Sequence, residues 1–501
     1  MRRRVSAPHQ VGGPDPAEAG TLARRVSRSF LVVGLGSIAA KLLRLGALFF
    51  VLGVITKKDL GVAQLALTVL AILQSLTELG LGAALIRTKQ PTQHQLAALF
   101  WLTALASLAL YAVVFVLSFA LAVFYDEPIL APLIQVQALG VLLSALYLVP
   151  KSLLMKDLRM GRVTLAENLA GALSAGLMIA LAASGLGIWS IILGELSAKL
   201  IEMSLYQASR PYLPRFVWDL AAIRPMLSFG LYTTGSRFLS RFYFEADYLV
   251  VGKMLGKEVT GLYAFAFRTV DDLVKTIGTV VVQVAFPTFA QLQDDKPELQ
   301  KYIYGIARGA TLVVGLLLAF VVVHVDQVLV ALEYTEWLPA VGLIRLFAIA
   351  GLLKSVLPIV FALLNALGDA RFVFFYTVTL AVLLPISFIV GAHFGPEGVA
   401  AGWLIVFPTV SYFSIIVAAR RLEVGLWLFT RRLCAGLPFP LVLAGLLAGL
   451  RLAVEPLQLA PGLIAAVGLM LALGGGATYA WYRERAFVER IFRRRGRGKQ
   501  A

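Results

Sequence analysis

Residues 228–256 read SFGLYTTGSRFLSRFYFEADYLVVGKMLG, a stretch that is apolar enough to cross a membrane but carries charged residues at its centre. These residues are Arg237, Arg241, Glu245 and Asp247. The apolar stretch that follows, up to Phe286, holds four more, which are Arg268, Asp271, Asp272 and Lys275. Ionisable groups at bilayer depth are costly and usually mark a pathway or a binding site. The pattern therefore predicts two membrane spans that line a functional cavity.

The whole chain has the composition of an all-α polytopic membrane protein. Hydrophobic residues make up 59% of its 501 residues and charged residues only 15%, with a mean hydropathy of +0.84, whereas about 25% of the residues of a soluble domain are charged. Because a span needs about 20 apolar residues, we predict about 14 spans, near residues 29–54, 61–86, 96–123, 129–150, 163–184, 187–208, 226–251, 259–286, 303–324, 338–362, 373–392, 397–419, 433–451 and 461–482.

The loops between these spans are too short for a soluble catalytic or nucleotide-binding domain. We therefore expect a protein that is not an enzyme and that uses no cofactor. The single cysteine, Cys434, excludes an internal disulfide, and the four scattered histidines predict no metal site.

The net charge of +17 follows the predicted topology. Lys and Arg concentrate in both tails and in alternate loops, and the opposite side holds only Lys57, Lys58, Lys253, Lys257 and Arg451. By the positive-inside rule this places both termini in the cytoplasm. A charge distributed in this way is a topology signal, so we expect no nucleic acid partner.

The two halves of the chain show a weak internal repeat. At a spacing of about 200 residues, Ser29 aligns with Ser228, and Gly61 aligns with Gly261. We therefore predict two six-helix lobes that are related by an axis along the membrane normal. The predicted parts are a flexible basic tail (1–28), a lobe of spans one to six (29–217), a lobe of spans seven to twelve (218–425), a C-terminal helix pair (426–482) and a second basic tail (483–501).

The first predicted span carries buried cations of its own. Lys41 and Arg44 share a helix face and have no carboxylate within four residues, which makes them candidates to bind an anion. In the seventh span, Arg237 and Arg241 share a face with Glu245. Each such cation would cost about 2.5–3.5 kcal/mol in contact with lipid. We therefore expect these side chains to face water, one another or a ligand.

Some of these charges have a simpler interpretation, which the sequence leaves open. Three pairs at i, i+4 spacing can neutralise each other within one helix, and they are Arg241–Glu245, Arg268–Asp272 and Asp271–Lys275. Lys199 and Lys354 lie near predicted span ends, where we expect them to extend to the membrane surface. Arg345 is either a site residue or a packing residue.

Carboxylates within spans are candidates for proton or sodium coupling. Glu78, Glu245 and Asp247 occupy such positions in the second and seventh spans. For Glu78 the alternative is a solvated position at the cytoplasmic end of its span.

Several segments, in the same order, resemble those of a known family. They are ELGLGAALIRTKQPTQHQLAALFWLTAL (Glu78–Leu105), MKDLRMGRVTLAEN (Met155–Asn168), DYLVVGKMLGKEVTGLYAFAFR (Asp247–Arg268), FPTFAQLQDD (Phe286–Asp295) and NALGDARF (Asn365–Phe372). The chain is similar, over residues 25–425, to bacterial polysaccharide exporters of the Wzx/PST type in the multidrug/oligosaccharidyl-lipid/polysaccharide (MOP) flippase superfamily.

The resemblance implies a V-shaped pair of lobes, as in the related MATE transporters. It also implies transport of an undecaprenyl-pyrophosphate-linked oligosaccharide across the bacterial inner membrane by alternating access, for exopolysaccharide, O-antigen or capsule synthesis. A polysaccharide polymerase and chain-length machinery would be its partners. The resemblance places the substrate in a cationic cavity, to which the matching positions here are Lys41, Arg44, Arg237, Arg241 and Arg268.

Other functions remain open at this point. A peptidoglycan-precursor flippase or a multidrug exporter would have the same fold, although buried cations do not suit cationic drugs. A membrane polysaccharide polymerase or ligase belongs to a different class and would need a sizeable periplasmic loop. A structural scaffold would leave the buried cations without a purpose.

Overall fold

The computed structural model describes residues 40, 43–44, 46–77, 81–88, 90–157, 159–217, 219–454, 456, 460–476 and 478. These residues form helices and connecting loops, with no strand among them, as the all-α prediction requires. Two predicted site residues, Lys41 and Glu78, lie outside the described residues.

The first half of the chain contains six labelled helices after a helical segment at 46–52. They are α1 (Lys57–Thr77), α2 (Leu81–Arg87), α3 (Gln93–Phe124), α4 (Leu130–Lys156), α5 (Met160–Ala183) and α6 (Trp189–Ser209). α3 begins at a capping box, in which Thr92 Oγ1 accepts a hydrogen bond from the Gln95 backbone and Gln95 Oε1 accepts one from the Thr92 backbone. This arrangement satisfies two of the N–H groups that a helix start leaves unpaired.

The second half contains longer helices and more breaks. The helices are α7 (Leu220–Met254), α8 (Lys257–Gln291), α9 (Lys296–Ala331), a 3₁₀ helix (Thr335–Ala340), α10 (Val341–Lys354), α11 (Leu357–Ala366), α12 (Ala370–Ala392), α13 (Pro396–Arg421), α14 (Leu426–Leu433), α15 (Pro438–Val454) and α16 (Pro461–Gly476). Pro358 lies in the first turn of α11, where its missing N–H costs no hydrogen bond, and the helix restarts there.

Among the described residues, eight helices are long and apolar enough to cross a membrane, or nine if α14 and α15, bent by 47°, form one span. Each predicted span from the second onward overlaps a helix or a broken helix. The difference in number has three causes. More than half of the first predicted span, 29–54, lies outside the described residues. Helices α6, α7 and α8 carry more charge than an ordinary span, and α16 is short. The chain is therefore a multi-pass helical membrane protein, with charge concentrated in three of its long helices.

The two halves meet through α1, which packs against α7 and α8. The closest approach is the crossing of α1 and α8. A Cβ atom on Gly61 would lie 1.9 Å from the Lys257 carbonyl oxygen, and one on Gly261 would lie 1.9 Å from the Lys57 carbonyl oxygen. Both positions therefore require glycine. These are two residues that the internal repeat aligns, and their contacts are reciprocal.

A set of hydrogen bonds joins the halves at the same end of the molecule. Lys253 Nζ donates to the Phe124 carbonyl at 2.5 Å, and Lys257 Nζ donates to the Asp126 carbonyl at 3.2 Å. Glu127 forms an ion pair with Lys58 of its own half at 2.9 Å and lies 3.9 Å from Lys257 of the second half. We call these residues the lysine clamp: Lys58, Lys253, Lys257, Phe124, Asp126 and Glu127.

Two aromatic side chains, one from each half, donate hydrogen bonds across the same interface. The Trp337 indole, in the 3₁₀ helix, donates to the Leu52 carbonyl at 3.2 Å. The Tyr125 hydroxyl, beside the clamp, donates to the Leu249 carbonyl at the same distance. Each half thus contributes an aromatic donor that binds a backbone carbonyl of the other, and this end of the interface is closed.

The C-terminal helices pack on the second half, with α15 against α9. Arg451 binds Asp326 through both nitrogens, at 2.9 and 2.6 Å. Arg345 donates to the Val322 carbonyl at 3.0 Å and lies 3.6 Å from Asp326. The open question about Arg345 is thereby answered, because it holds α10 to α9.

Candidate functional site

A cavity of about 400 Å³ lies between the first-half helices and α7. Three cations line it, Lys151 from α4, Lys199 from α6 and Arg237 from α7. We call it the cationic cavity. The polar residues of its lining are Gln74, Thr103, Ser144, Tyr147 and Ser152. A cavity that combines several cations with hydroxyl and amide groups can bind a ligand that carries both an anion and sugar hydroxyls.

Both lysines of the cationic cavity have a carboxylate and a tyrosine as neighbours. Lys199 Nζ lies 3.2 Å from Glu202, which accepts a hydrogen bond from the Tyr147 hydroxyl at 3.1 Å. The expectation that Lys199 extends to the membrane surface is therefore wrong. Its stem passes close to Gly140, where a Cβ atom would lie 3.6 Å from Lys199 Cγ. That distance is an ordinary van der Waals contact, so Lys199 packs along α4 on its way to the cavity.

Lys151 is held in a similar way. Its Nζ lies 2.9 Å from Glu167, and the Tyr206 hydroxyl donates to the same carboxylate at 3.3 Å. The fourth predicted span ends at residue 150, so the sequence prediction placed Lys151 in the loop that follows it. In the structure α4 continues through the proline to Lys156, which places Lys151 on the cavity wall.

Arg44 forms an ion pair with Glu195 of α6. Its side chain is 50% exposed and that of Glu195 is 26% exposed. Glu195 also interacts electrostatically with Arg268 and Lys199. Arg44 has no carboxylate close to it in sequence, but helix packing supplies Glu195 from a distant part of the chain. Arg44 and Arg268, both predicted site residues, therefore both act electrostatically on Glu195, Arg44 in direct contact and Arg268 without an ion pair in the described residues.

Arg241 and Glu245 form one of the three pairs that the sequence left open, with a distance of 2.8 Å. Glu245 is buried, and its other oxygen accepts a hydrogen bond from Thr68 of α1 at 3.1 Å. The carboxylate therefore connects the two halves. Lys275 and Asp271 form the second pair, at 2.6 Å.

Arg268 behaves differently. It is half-buried and interacts electrostatically with Glu195, Glu245 and Asp272. Within the described part of the chain it forms no ion pair with Asp272 or another carboxylate. Arg268 thus lies among carboxylates of both halves without direct contact with one of them.

Asp247 is completely buried in the second half. Its carboxylate accepts hydrogen bonds from the Tyr263 hydroxyl and the Trp403 indole, both at 2.9 Å, and from the Tyr248 backbone at 2.8 Å. Three donors satisfy a buried carboxylate well.

Lys354 of α10 is enclosed by aromatic rings and is only 11% exposed. Its Nζ lies 3.6 Å from the Trp403 ring centroid and 4.8 Å from that of Phe267, with Phe407 and Phe244 somewhat further away. Its carboxylate partner is Asp271, at 3.8 Å. The expectation that Lys354 extends to the membrane surface is therefore wrong. We call this arrangement the caged lysine.

The structure thus distributes the predicted site residues over three places. Arg237 lines the cationic cavity, Arg44 and Arg268 surround Glu195, and Arg241 pairs with Glu245. Lys151 and Lys199 join the site although sequence reasoning had placed them elsewhere. Among the described residues there is no group of three or more His, Cys, Asp or Glu side chains that could hold a metal ion.

A family model described as "Polysaccharide biosynthesis protein" matches residues 53–342. Curated relatives are similar over most of their length. The teichuronic acid biosynthesis protein TuaB of Bacillus subtilis is 27% identical over 71% of this chain and 72% of its own. The lipopolysaccharide biosynthesis protein WzxC of Escherichia coli is 26% identical over 79% and 82%. The succinoglycan biosynthesis transport protein ExoT of Rhizobium meliloti is 24% identical over 79% and 81%.

Solved structures share the fold. The lipid II flippase MurJ in an inward closed conformation has a TM-score of 0.68 at 12% identity and covers 91% of this chain and all of its own. An inward-facing multidrug resistance MATE transporter of the MOP superfamily has a TM-score of 0.61 at 15% identity, over 76% of this chain and 94% of its own. At these identities the likeness concerns the arrangement of helices.

Proposed function

Because the chain belongs to the polysaccharide biosynthesis protein family, we propose that it is a flippase for a lipid-linked oligosaccharide, the repeat unit of an extracellular polysaccharide. The proposed carrier is undecaprenyl pyrophosphate. The names of the relatives support a role in polysaccharide synthesis, and one of them is called a transport protein. The chemistry of the cavity supports the anionic carrier.

The cationic cavity is the observation that carries this proposal. Its volume of about 400 Å³ lies within the range of ligand-binding pockets. Pyrophosphate offers several oxygens to Arg and Lys, which bind such groups through charge-assisted hydrogen bonds. The hydroxyl and amide groups of the lining suit the sugars, and the lipid tail remains in the bilayer.

We assign the anion to residues at the cavity and around Glu195. They are Arg237, Lys151, Lys199, Arg44 and Arg268, with Lys41 retained from the sequence prediction. Arg241 acts indirectly, because its guanidinium pairs with Glu245. In this assignment the cations of both halves contact one substrate.

Transport proceeds by alternating access between the predicted lobes, 29–217 and 218–425, with the helix pair of 426–482 attached to the second. The closed lysine clamp at one end of the interface supports this. In the proposed orientation, in the inner membrane with both termini cytoplasmic, the clamp is periplasmic and the cavity receives its substrate from the cytoplasm. Opening the clamp then releases the oligosaccharide outside.

A proton or sodium gradient supplies the energy in this proposal. Of the predicted coupling residues, Glu245 is the strongest candidate, because its carboxylate contacts Thr68 across the interface between the halves. Asp247 and Glu78 are further candidates. Movement of one charge through 100 mV supplies about 2.3 kcal/mol, enough to bias a change between two conformations.

The test is transport of a fluorescent undecaprenyl-pyrophosphate-linked oligosaccharide by the purified protein in proteoliposomes. We expect Arg237→Ala to lower the rate at least about tenfold, since it removes a charge-assisted contact, and Arg237→Lys to retain part of it. Lys301→Ala is the control, because Lys301 is 73% exposed and lies outside the cavity. Normal transport by Arg237→Ala would refute the anion site, and transport of a cationic drug instead would favour the multidrug exporter.

A further inference from the structure

Glu195 lies where three cations meet. It pairs directly with Arg44, from the first span, and interacts electrostatically with Lys199 of its own helix and Arg268 of the second half. Its side chain is 26% exposed, whereas Asp247 is fully buried. A negative group thus occupies the centre of the cation cluster that we assign to the substrate anion.

The ion pair of Glu195 is of a kind that can be exchanged. Half of the Arg44 side chain is exposed, and ion pairs between accessible side chains are weak, because water competes with them. Asp247 provides a contrast, since it is fully buried with three donors. A ligand anion can therefore replace the Glu195 carboxylate at Arg44, whereas Asp247 stays in place.

The direct contacts of the other carboxylates near the cavity stay within the first half of the chain. Glu202 pairs with Lys199 and accepts from Tyr147, while Glu167 pairs with Lys151. Arg44 also interacts electrostatically with Glu202 and Asp272, although neither is its ion-pair partner. Glu195 is therefore the carboxylate that connects the first span, α6 and the second half.

We propose that Glu195 is an internal counter-anion, which occupies the place of the substrate phosphate and thereby selects pyrophosphate-linked over monophosphate-linked sugars. This inference rests on the proposed function and specifies its substrate. A sugar joined to a lipid by a single phosphate is a phosphodiester with one charge and two free oxygens, like a carboxylate. It gains nothing by replacing Glu195. A pyrophosphate link has two charges and four free oxygens, which can contact Arg44 and Arg268 together.

The experiment measures binding of two probes to the full chain in nanodiscs. The probes carry the same sugar and polyprenyl tail and differ only in a pyrophosphate or a single phosphate. We expect the unaltered protein to bind the pyrophosphate probe about tenfold more tightly. In Glu195→Gln the monophosphate probe should bind more tightly, so that the ratio of the two probe affinities falls to about threefold or less.

Two further variants make the result interpretable. Glu423→Gln removes a carboxylate that is 73% exposed and pairs with Lys296, outside the cavity lining, and it should leave the ratio unchanged. Glu195→Asp keeps the negative charge on a shorter side chain and should give an intermediate ratio. It provides a second measurement if Glu195→Gln does not fold. An unchanged ratio in both Glu195 variants would overturn this inference but leave the proposed function standing. Failure of the unaltered protein to bind either probe would overturn the proposed function and the inference with it.

Discussion

The cationic cavity and the caged lysine place the same residue type in opposite surroundings. Lys199 is 33% exposed, with Glu202 at 3.2 Å, and lines a cavity that solvent can enter. Lys354 is 11% exposed, with Asp271 at 3.8 Å, and aromatic rings surround it. An accessible cation can exchange its protein partner for a ligand, whereas an enclosed one cannot. On this contrast we base the proposal that the cavity serves binding and the cage serves structure.

The cage is also connected to the buried carboxylate of the second half. Trp403 donates its indole N–H to Asp247 and presents its ring to Lys354. Cation–π contact is strongest for tryptophan and increases when the cation is desolvated. One indole therefore links a buried anion to a buried cation. The cavity lacks such a link in the described residues, and its lysines each depend on a carboxylate and a tyrosine instead.

The largest effect should follow from removing the carboxylate partner of each lysine. Asp271→Asn leaves Lys354 enclosed without its counter-charge, so we expect a loss of about 3 kcal/mol in the free energy of unfolding. Glu202→Gln leaves Lys199 in contact with water and should cost about 1 kcal/mol or less. Denaturant unfolding of the two purified variants in detergent measures both values. Equal losses would show that the enclosure of Lys354 is not what distinguishes the two regions.

A smaller effect should come from Trp403→Phe. This change keeps a ring beside Lys354 and removes the donor to Asp247, whose other two donors remain. We expect the free energy of unfolding to fall by about 2 kcal/mol, the value of a hydrogen bond to a charged group. Phe407→Leu is the matched comparison, because it removes a ring whose centroid lies further from Lys354 Nζ, at 5.5 Å. It should reduce the cation–π stabilisation of Lys354 less than Trp403→Phe does. The same unfolding assay detects the difference, and no loss in Trp403→Phe would break the proposed link between Asp247 and the cage.

The smallest effect on stability should appear in the cavity itself. Lys199→Gln should change the free energy of unfolding by less than about 1 kcal/mol, because exposed ion pairs contribute little. It should nevertheless weaken binding of a short-chain polyprenyl pyrophosphate, since a cation that contacts the ligand is lost. Calorimetric titration at two salt concentrations measures the binding, whose salt dependence should decrease in the variant. A large loss of stability with unchanged binding would reverse the roles that we assign to the two regions.

Contacts within one helix could be predicted from the sequence. Arg241–Glu245 and Asp271–Lys275, two of the three pairs that the sequence left open, do form, because residues four apart lie on one helix face. Arg268–Asp272 has the same spacing without an ion pair, since Arg268 lies among carboxylates from other helices. Spacing indicates that a pair can form, and the surroundings decide whether it does.

The positions of individual cations were harder to predict. Lys199 and Lys354 both lie near the ends of apolar runs, where a long side chain can reach the membrane surface. In the structure Lys199 turns over Gly140 into the cavity, and Lys354 turns into a group of aromatic rings contributed by α7, α8 and α13. Neither direction is encoded in local sequence, because each depends on helices that are distant along the chain.

The sequence by itself was enough to predict the spans, a weak repeat of the two halves and the resemblance to polysaccharide exporters, because hydrophobic length and local spacing are properties of consecutive residues. Only the tertiary structure decided which charges meet. The reciprocal glycine contacts of α1 and α8 bring the halves together, and the packing of the first span against α6 gives Arg44 its partner in Glu195. Burial then separates the exchangeable cations of the cavity from the enclosed Lys354, since the free energy of a charge depends on the groups around it.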